Sequence, residues 1–386
     1  MTTTTVLHFL WQAGSGGAER AVTQLALEQL RDPDLVPAVA LGCAGGRYQR
    51  TLEHAGVPVI DLGMSSGRDV VAALSHLDAL RRYSLHHFHS PEPAMFLASL
   101  MSGRRVRVYT RRGGTTYRGS GSSRPLRNWF TGVALRHFWS GYSGNTRHAA
   151  SMLASAYGVP AHRVHVTYNG VDFGGFRPRR TRGEVRLELG VSEQARLIGC
   201  SGKLWDLKRN EILVRAAGIL READVHVLLV GDGPERARLR ALAHEVGVGD
   251  RLIITGMTDD VASYVQAMDV FVLASDSSES FANALVEAMS LGIPSVACSD
   301  SPGPCEHIDD GFSGFIADDL RDLVRTLERL LGDDALRAVV GESGALAVKE
   351  KYGLAEAAAR YRELYRTAQS CAPGVIGGSA AETRAC

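Results

Sequence analysis

The sequence predicts an α/β protein made of two successive parallel-sheet units. Short apolar runs alternate with stretches of helical spacing, which points to parallel strands joined by helical crossovers. The alternation stops at the Gly- and Arg-rich stretch YNGVDFGGFRPRRTRG, residues 168–183, and then starts again. The chain has 386 residues, more than one hydrophobic core usually serves.

In the first half the spacing predicts strands at Val6–Leu10, Ala38–Leu41, Val57–Leu62, Leu85–His89 and Val106–Thr110. A helix is expected over Ala18–Leu30, where Ala21, Val22, Leu25 and Leu27 recur at helical intervals. In the second half strands are expected at Leu197–Cys200, Val225–Val230, Leu252–Ile254, Val270–Leu273 and Ser295–Ala297. A last amphipathic helix covers roughly Leu354–Ala368, and the Gly/Ala/Ser-rich tail from Cys371 reads as disordered.

Composition fits a soluble globular enzyme, with 45% apolar and 22% charged residues. The net charge of +1 gives no nucleic-acid signal. Charge is nevertheless uneven. No Asp or Glu occurs from Pro93 to Val171, where eleven Arg stand. The stretch Arg104–Arg127 suits an anionic acceptor or a peripheral membrane contact, and equally a solvated basic face. The six cysteines are scattered without a CxxC pair, as in a reduced cytoplasmic chain. No signal peptide or membrane-spanning segment is expected.

Four stretches carry chemistry. GSGGAER (Gly14–Arg20) is a glycine turn feeding a helix, where Gly16 and Gly17 would let a pyrophosphate reach backbone N–H groups; a plain tight turn fits as well. SGKLWDLKRN (Ser201–Asn210) sets Lys203 and Lys208 beside a helix start, where two cations could neutralise a diphosphate. VHVLLVGDGPERARL ends its strand at Gly231, at the carboxyl end where open parallel sheets bind ligands. SESFANALVEAM places Glu279 and Glu287 around a small-residue helix start. There a carboxylate at each end could grip sugar hydroxyls, or both could be solvated helix charges.

The last stretch resembles the E-x7-E signature of retaining glycosyltransferases of family 4. The resemblance continues through Leu291-Gly292-Ile293-Pro294-Ser295-Val296. Cys305-Glu306-His307-Ile308-Asp309-Asp310-Gly311 resembles the family's P-E-I-V-x-D-G segment. Asn169-Gly170-Val171-Asp172, with Phe176-Arg177-Pro178, resembles its N-G-V-D…F-x-P linker. These stretches follow the family's order from Gly14 to about Tyr365.

The resemblance implies a GT-B fold: two Rossmann-like, doubly wound parallel-sheet domains facing a central cleft. Their expected extents are 1–175 on the acceptor side and 176–353 on the nucleotide-sugar side. A helix at about 354–370 is expected to cross back onto the first, followed by a disordered tail at 371–386. It implies that Glu287 binds ribose hydroxyls and Glu279 those of the donor sugar. Lys203 and Lys208 would hold the diphosphate, with Gly16 and Gly17 approaching it. Ser280, Phe281, Ala282, Asn283, Ala284 and Leu285 would line the donor, with Gly231 nearby and Met257 near the base. His89 matches the family's histidine beside the donor sugar. His87 and His89 share a strand face, as two metal ligands would, but the resemblance implies no metal and no cofactor. Where the family often has His-Gly, this chain has Arg111-Arg112-Gly113-Gly114, which makes Arg111 and Arg112 acceptor-side candidates and leaves the acceptor open.

The expected function is retaining transfer of a hexosyl group from a nucleotide diphosphate sugar, UDP-sugar over GDP-sugar, to an acceptor hydroxyl. The acceptor would be a saccharide, a lipid-linked saccharide or a small natural product. The expected location is cytoplasmic, with peripheral contact at the inner membrane face as one option. A GT-B sugar-nucleotide epimerase or phosphorylase and a non-catalytic sugar-nucleotide-binding module are the alternatives. A nicotinamide dehydrogenase is disfavoured, because neither half has GxGxxG.

Overall fold

The computed structural model describes residues 3–14, 16–89, 92–113, 137–220 and 224–371. Arg118, Arg124, Arg127 and Arg136 of the basic stretch, and the tail after 371, lie outside them. The chain forms two compact units. One runs up to Gly170 and resumes at Leu354; the other is Val171–Gly353.

The first unit holds a seven-stranded, all-parallel sheet. Its strands are β1 (Thr4–Leu10), β2 (Leu35–Leu41), β3 (Val59–Asp61), β4 (Leu85–Phe88), β5 (Val106–Arg111), β6 (Gly141–Gly144) and β7 (Val164–Val166). Their spatial order is β3-β2-β1-β4-β5-β6-β7. Alternation along β1 builds the two faces. Leu7 and Phe9 join Phe88, Met95 and Trp139 in one core. Val6 joins Leu85, Val108, Tyr361, Leu364 and Tyr365 in another. The helix Leu354–Ser370 supplies those last three residues, burying Ala357, Tyr361, Leu364, Tyr365 and Ala368, a stripe at helical spacing.

The second unit holds a six-stranded parallel sheet. Its strands are β8 (Arg196–Ser201), β9 (Val225–Val230), β10 (Leu252–Ile254), β11 (Val270–Leu273), β12 (Ser295–Cys298) and β13 (Phe315–Ala317). Their order is β10-β9-β8-β11-β12-β13.

Both sheets are doubly wound. Chain direction across the sheet reverses between β1 and β4 in the first unit and between β8 and β11 in the second. Loops leaving the carboxyl ends of strands at such a reversal diverge and leave a crevice, where open parallel sheets take their ligands. The strands β6, β7 and β13 were not legible as apolar runs; β6 is Gly-Tyr-Ser-Gly, and the other two have three residues each. No helix among the described residues is long and apolar enough to cross a membrane.

Candidate functional site

In the second unit the loops after β8 and β11 carry most of the candidate residues. Lys208 Nζ lies 2.5 Å from Glu279 Oε2, and both side chains are largely shielded from solvent. Burial by itself would depress the Lys208 ammonium. The Glu279 carboxylate outweighs that, and Lys208 titrates above its ordinary range. It is therefore a fixed cation at the sheet reversal. Lys203 is half-buried in the same turn, with its ammonium 5.0 Å from the centre of the exposed Trp205 ring. Both lysines line one small concavity with Ser201, Gly202 and Asn210.

Arg209, between Lys208 and the next helix, ties these loops together. It reaches Ala274 O at 2.7 Å and Ser275 O at 2.9 Å, and holds Asp300 with both terminal nitrogens, at 2.6 and 2.7 Å. Such fork-to-carboxylate pairing fixes geometry as well as charge. Sequence reading did not single out Arg209; its partners lie 65 to 91 residues away.

The stretch after Glu279 is buried at Ser280, Phe281, Ala282, Leu285 and Glu287, while Asn283 and Ala284 are half-buried. Glu287 is 6% exposed, so it is not a solvated helix charge. Ala282 caps the helix Asn283–Ser290 in the left-handed region, φ 52° and ψ 62°, a conformation that costs a residue with Cβ about 1–2 kcal/mol. His307, quoted above only within a resembling segment, binds the carbonyl of Phe281, a contact that sequence reading did not foresee. Gly231 has φ 145°, and a Cβ there would lie 2.0 Å from Gly202 O. Its glycine lets β9 end against the lysine-bearing turn. Met257, on the loop after β10, is 69% exposed.

In the first unit Gly16 caps, and Gly17 begins, the helix Gly17–Gln29 that follows β1. His89 follows β4 directly and is buried. Its Nδ1 accepts from Arg112 Nε at 2.9 Å, and its Nε2 lies 3.0 Å from His8 Nδ1. His8 Nε2 reaches Gln29 Oε1 at 2.8 Å, and Gln29 Nε2 reaches Tyr365 OH at 3.2 Å. Tyr365 OH lies 2.8 Å from His87 Nδ1, and His87 Nε2 lies 2.7 Å from Thr110 Oγ1. Burial pushes His8 down to about 4 and holds His87 and His89 well below the usual imidazole range. The three rings are neutral at pH 7.

His8 is the third imidazole that sequence reading did not find beside His87 and His89; ligand atoms of the three lie within 4.8 Å of one another. The donor set does not fit a metal. All six ring nitrogens already have hydrogen-bond partners, and the Arg112 guanidinium stands against the group.

Arg112 also donates to Asn169 Oδ1 at 2.6 Å and to Tyr361 OH at 2.8 Å, so it braces the first unit internally. Arg111 differs. It is 4% exposed, and its Nε and Nη2 have no hydrogen-bond partner among the described residues.

A sequence model of Glycosyltransferase Family 4 matches residues 15–174, and one of glycosyl transferases group 1 matches residues 195–333. The chain is 28% identical to an N-acetyl-alpha-D-glucosaminyl L-malate synthase of Bacillus anthracis, over 80% of this chain and 79% of that protein. It is 32% identical to a D-inositol 3-phosphate glycosyltransferase of Xylanimonas cellulosilytica, over 59% of this chain and 57% of the relative. The fold is similar to that of Anabaena Alr3699/HepE, solved in complex with UDP and glucose. That likeness has TM-score 0.82 at 20% identity and covers 94% of this chain and all of the other. The two matched segments fall one on each doubly wound sheet, and with that architecture the chain belongs to the group 1, family 4 glycosyltransferases of GT-B fold.

Proposed function

We propose that the protein transfers a hexosyl group from a UDP-sugar to an acceptor hydroxyl with retention of the anomeric configuration. The observation that carries this reading is the largely shielded Lys208–Glu279 pair, 2.5 Å apart at the sheet reversal of the second unit. As the donor bond breaks, positive charge grows on the sugar ring and negative charge on the leaving diphosphate. Lys208 is a cation already in place for the diphosphate, with Lys203 beside it; such preorganised charge needs no rearrangement during the reaction. Glu279 would hold the donor sugar's hydroxyls, and the amides at the start of the Asn283 helix would receive phosphate. Glu287, buried on that helix, would take the ribose hydroxyls. The acceptor hydroxyl would attack on the face that the diphosphate leaves, so no carboxylate nucleophile of the retaining-hydrolase kind is required. His89, Gly16 and Gly17 are the first unit's candidates for contacts to sugar and phosphate.

UDP is favoured as the nucleotide because the HepE structures hold UDP and UDP-glucose. An anionic acceptor is favoured on two grounds. Both relatives are named for small anionic hydroxy compounds, malate and inositol 3-phosphate. Arg111 also offers a buried guanidinium whose Nε and Nη2 have no partner among the described residues.

The test is a thermal-shift series with UDP, GDP and ADP, followed by transfer from the matching sugar nucleotides and NMR of the product's anomeric coupling. A ligand that binds only the folded state raises Tm by mass action. Stabilisation by UDP that Glu287→Ala weakens at least tenfold in Kd, with an α-linked product from an α-donor, is the expected result. No response to any of the three nucleotides refutes the donor site, and an inverted product refutes retention.

A further inference from the structure

The helix Asp334–Tyr352 ends on a tyrosine that is 1% exposed. Its hydroxyl lies 2.8 Å from Nδ1 of His307, itself buried, and His307 Nε2 lies 2.5 Å from the carbonyl oxygen of Phe281. The direction of each bond follows from chemistry. A carbonyl only accepts, so the proton is on Nε2. Burial pushes His307 down to about 3, so the ring is neutral and Nδ1 is bare. Tyr352 must therefore donate. The three rings also meet edge to face, with centroids 4.6 Å apart for Phe281 and His307, 5.1 Å for Phe281 and Tyr352, and 4.9 Å for His307 and Tyr352.

The carbonyl so held precedes Ala282, whose left-handed backbone turns the chain into the helix Asn283–Ser290. One residue earlier, the carbonyl of Ser280 is packed by Gly303, where a Cβ would lie 2.0 Å away. Successive carbonyls on the Glu279 side of the turn are thus fixed by the segment 303–307. A left-handed alanine persists only where its surroundings over-determine it. His307 stands at the isoleucine position of the P-E-I-V-x-D-G pattern that its segment resembles, so an aliphatic residue there removes the polar link without removing the bulk.

We propose that His307 and Tyr352 are positioning residues for sugar transfer: through the Phe281 carbonyl they lock the turn that aims the Asn283-helix amides and Glu279 at the donor. This rests on the donor site proposed above. Neither residue touches the donor; each acts on the backbone that does.

The experiment compares His307→Leu, His307→Gln and Tyr352→Phe with the wild type. Three quantities are read: hydrogen exchange of amides 281–285 in the ligand-free protein, UDP affinity by calorimetry, and kcat and KM for the sugar nucleotide. In His307→Leu those amides exchange at least tenfold faster while those of β8 and β9 keep their wild-type rates, and donor KM rises about tenfold. Glutamine keeps a side-chain N–H for the carbonyl and restores most of both effects; Tyr352→Phe, which frees the tautomer, falls between. Wild-type exchange in His307→Leu overturns the lock. Faster exchange with unchanged UDP affinity and unchanged kcat/KM overturns the positioning role. If the wild type binds no nucleoside diphosphate, the donor site fails, and the exchange data still decide the lock. Should His307→Leu not fold, the glutamine and Tyr352→Phe variants carry the same comparison.

Discussion

The guanidinium Nε of Arg112 lies 2.9 Å from Nδ1 of His89. That single contact fixes the tautomer of His89, because arginine can only donate. His89 must carry its proton on Nε2 and give it to His8 Nδ1. His8 then donates from Nε2 to Gln29, and the Gln29 amide donates to Tyr365, whose hydroxyl lies 2.8 Å from His87 Nδ1, with His87 Nε2 2.7 Å from Thr110 Oγ1. The network ends in hydroxyls, with Thr110 2.6 Å from Ser143 Oγ. The imidazole at the sheet reversal of the first unit is thereby held in one tautomer by residues drawn from β1, β4, the helix Gly17–Gln29 and the helix Leu354–Ser370.

Replacing Arg112 therefore removes three bonds and leaves buried acceptors at His89, Asn169 and Tyr361. Arg112→Leu is expected to cost about 2–4 kcal/mol, a Tm loss of about 5–10 °C. Arg112→Lys should not restore it, because one ammonium cannot reproduce a planar fork. Long-range ¹H–¹⁵N spectra of the wild type should show the His89 proton on Nε2, and a proton on Nδ1 would refute the directed chain.

Acid should destabilise the protein early. His8 and His86 are pushed down to about 4, His307 to about 3, and His87 and His89 well below the ordinary range, in each case by burial. The unfolded chain takes up these protons near pH 6.5, whereas the folded one refuses them until the pH is far lower. Between those values the unfolded state binds more protons, so stability rises with pH. It is lost as pH falls from about 6.5 towards 4, each histidine contributing up to about 1.4 kcal/mol per pH unit. Thermal melts at half-unit steps from pH 7.5 to 4.5 should show Tm falling throughout the lower part of that range. A flat profile down to pH 5 would contradict the neutral, buried state of these rings.

Much of the fold could be read from periodicity, and the two carboxylates of SESFANALVEAM could be singled out, because both are local signals. Apolar runs of four residues mark β2, β9 and β11, since a strand buried on both faces needs no alternation. β6 carries no such run, because Leu364 and Ala368 of the last helix lie against it where side chains of its own would otherwise be needed. The polar network was illegible for a different reason. His8 sits alone in an apolar strand, 81 residues from His89, and Gln29 meets Tyr365 across 336. No spacing rule connects such positions; only the sheet order and the returning C-terminal helix bring them together. His307 was quoted as part of a resemblance, yet its bonds to Phe281 and Tyr352 span 26 and 45 residues.

The Lys208–Glu279 pair gives opposite expectations for stability and for rate. Either single substitution leaves a shielded charge without its partner, which is strongly destabilising for buried pairs. Lys208→Met with Glu279→Gln removes both charges together and should recover most of that loss. Turnover should not recover, because the cation for the leaving diphosphate is gone; a loss of about 10²–10³ in kcat is expected, as for removal of one preorganised donor. A double-mutant cycle scored by Tm and by kcat separates the two. Recovery of kcat alongside Tm in the double variant would show that the pair is structural only.

Arg111 should behave unlike Arg186, the most deeply buried arginine among the described residues. Arg186, almost wholly buried too, is bound by Asp269 and by the carbonyls of Ser192 and Ala195. Arg111, 4% exposed, has neither Nε nor Nη2 paired among the described residues. Burying a charge without partners is costly, and an apolar side chain of similar length relieves that cost. Arg111→Met should therefore leave Tm unchanged or raise it, whereas Arg186→Met should lower it by several degrees. If the unpaired guanidinium awaits an anionic group of the acceptor, Arg111→Met also raises the KM of the acceptor identified by the transfer assay at least tenfold. UDP affinity, measured by calorimetry, stays at its wild-type value because the substitution lies outside the unit that carries Lys208, Glu279 and Glu287. A Tm loss in Arg111→Met equal to that of Arg186→Met would show that its nitrogens are paired within the protein, and an unchanged acceptor KM would remove it from acceptor binding.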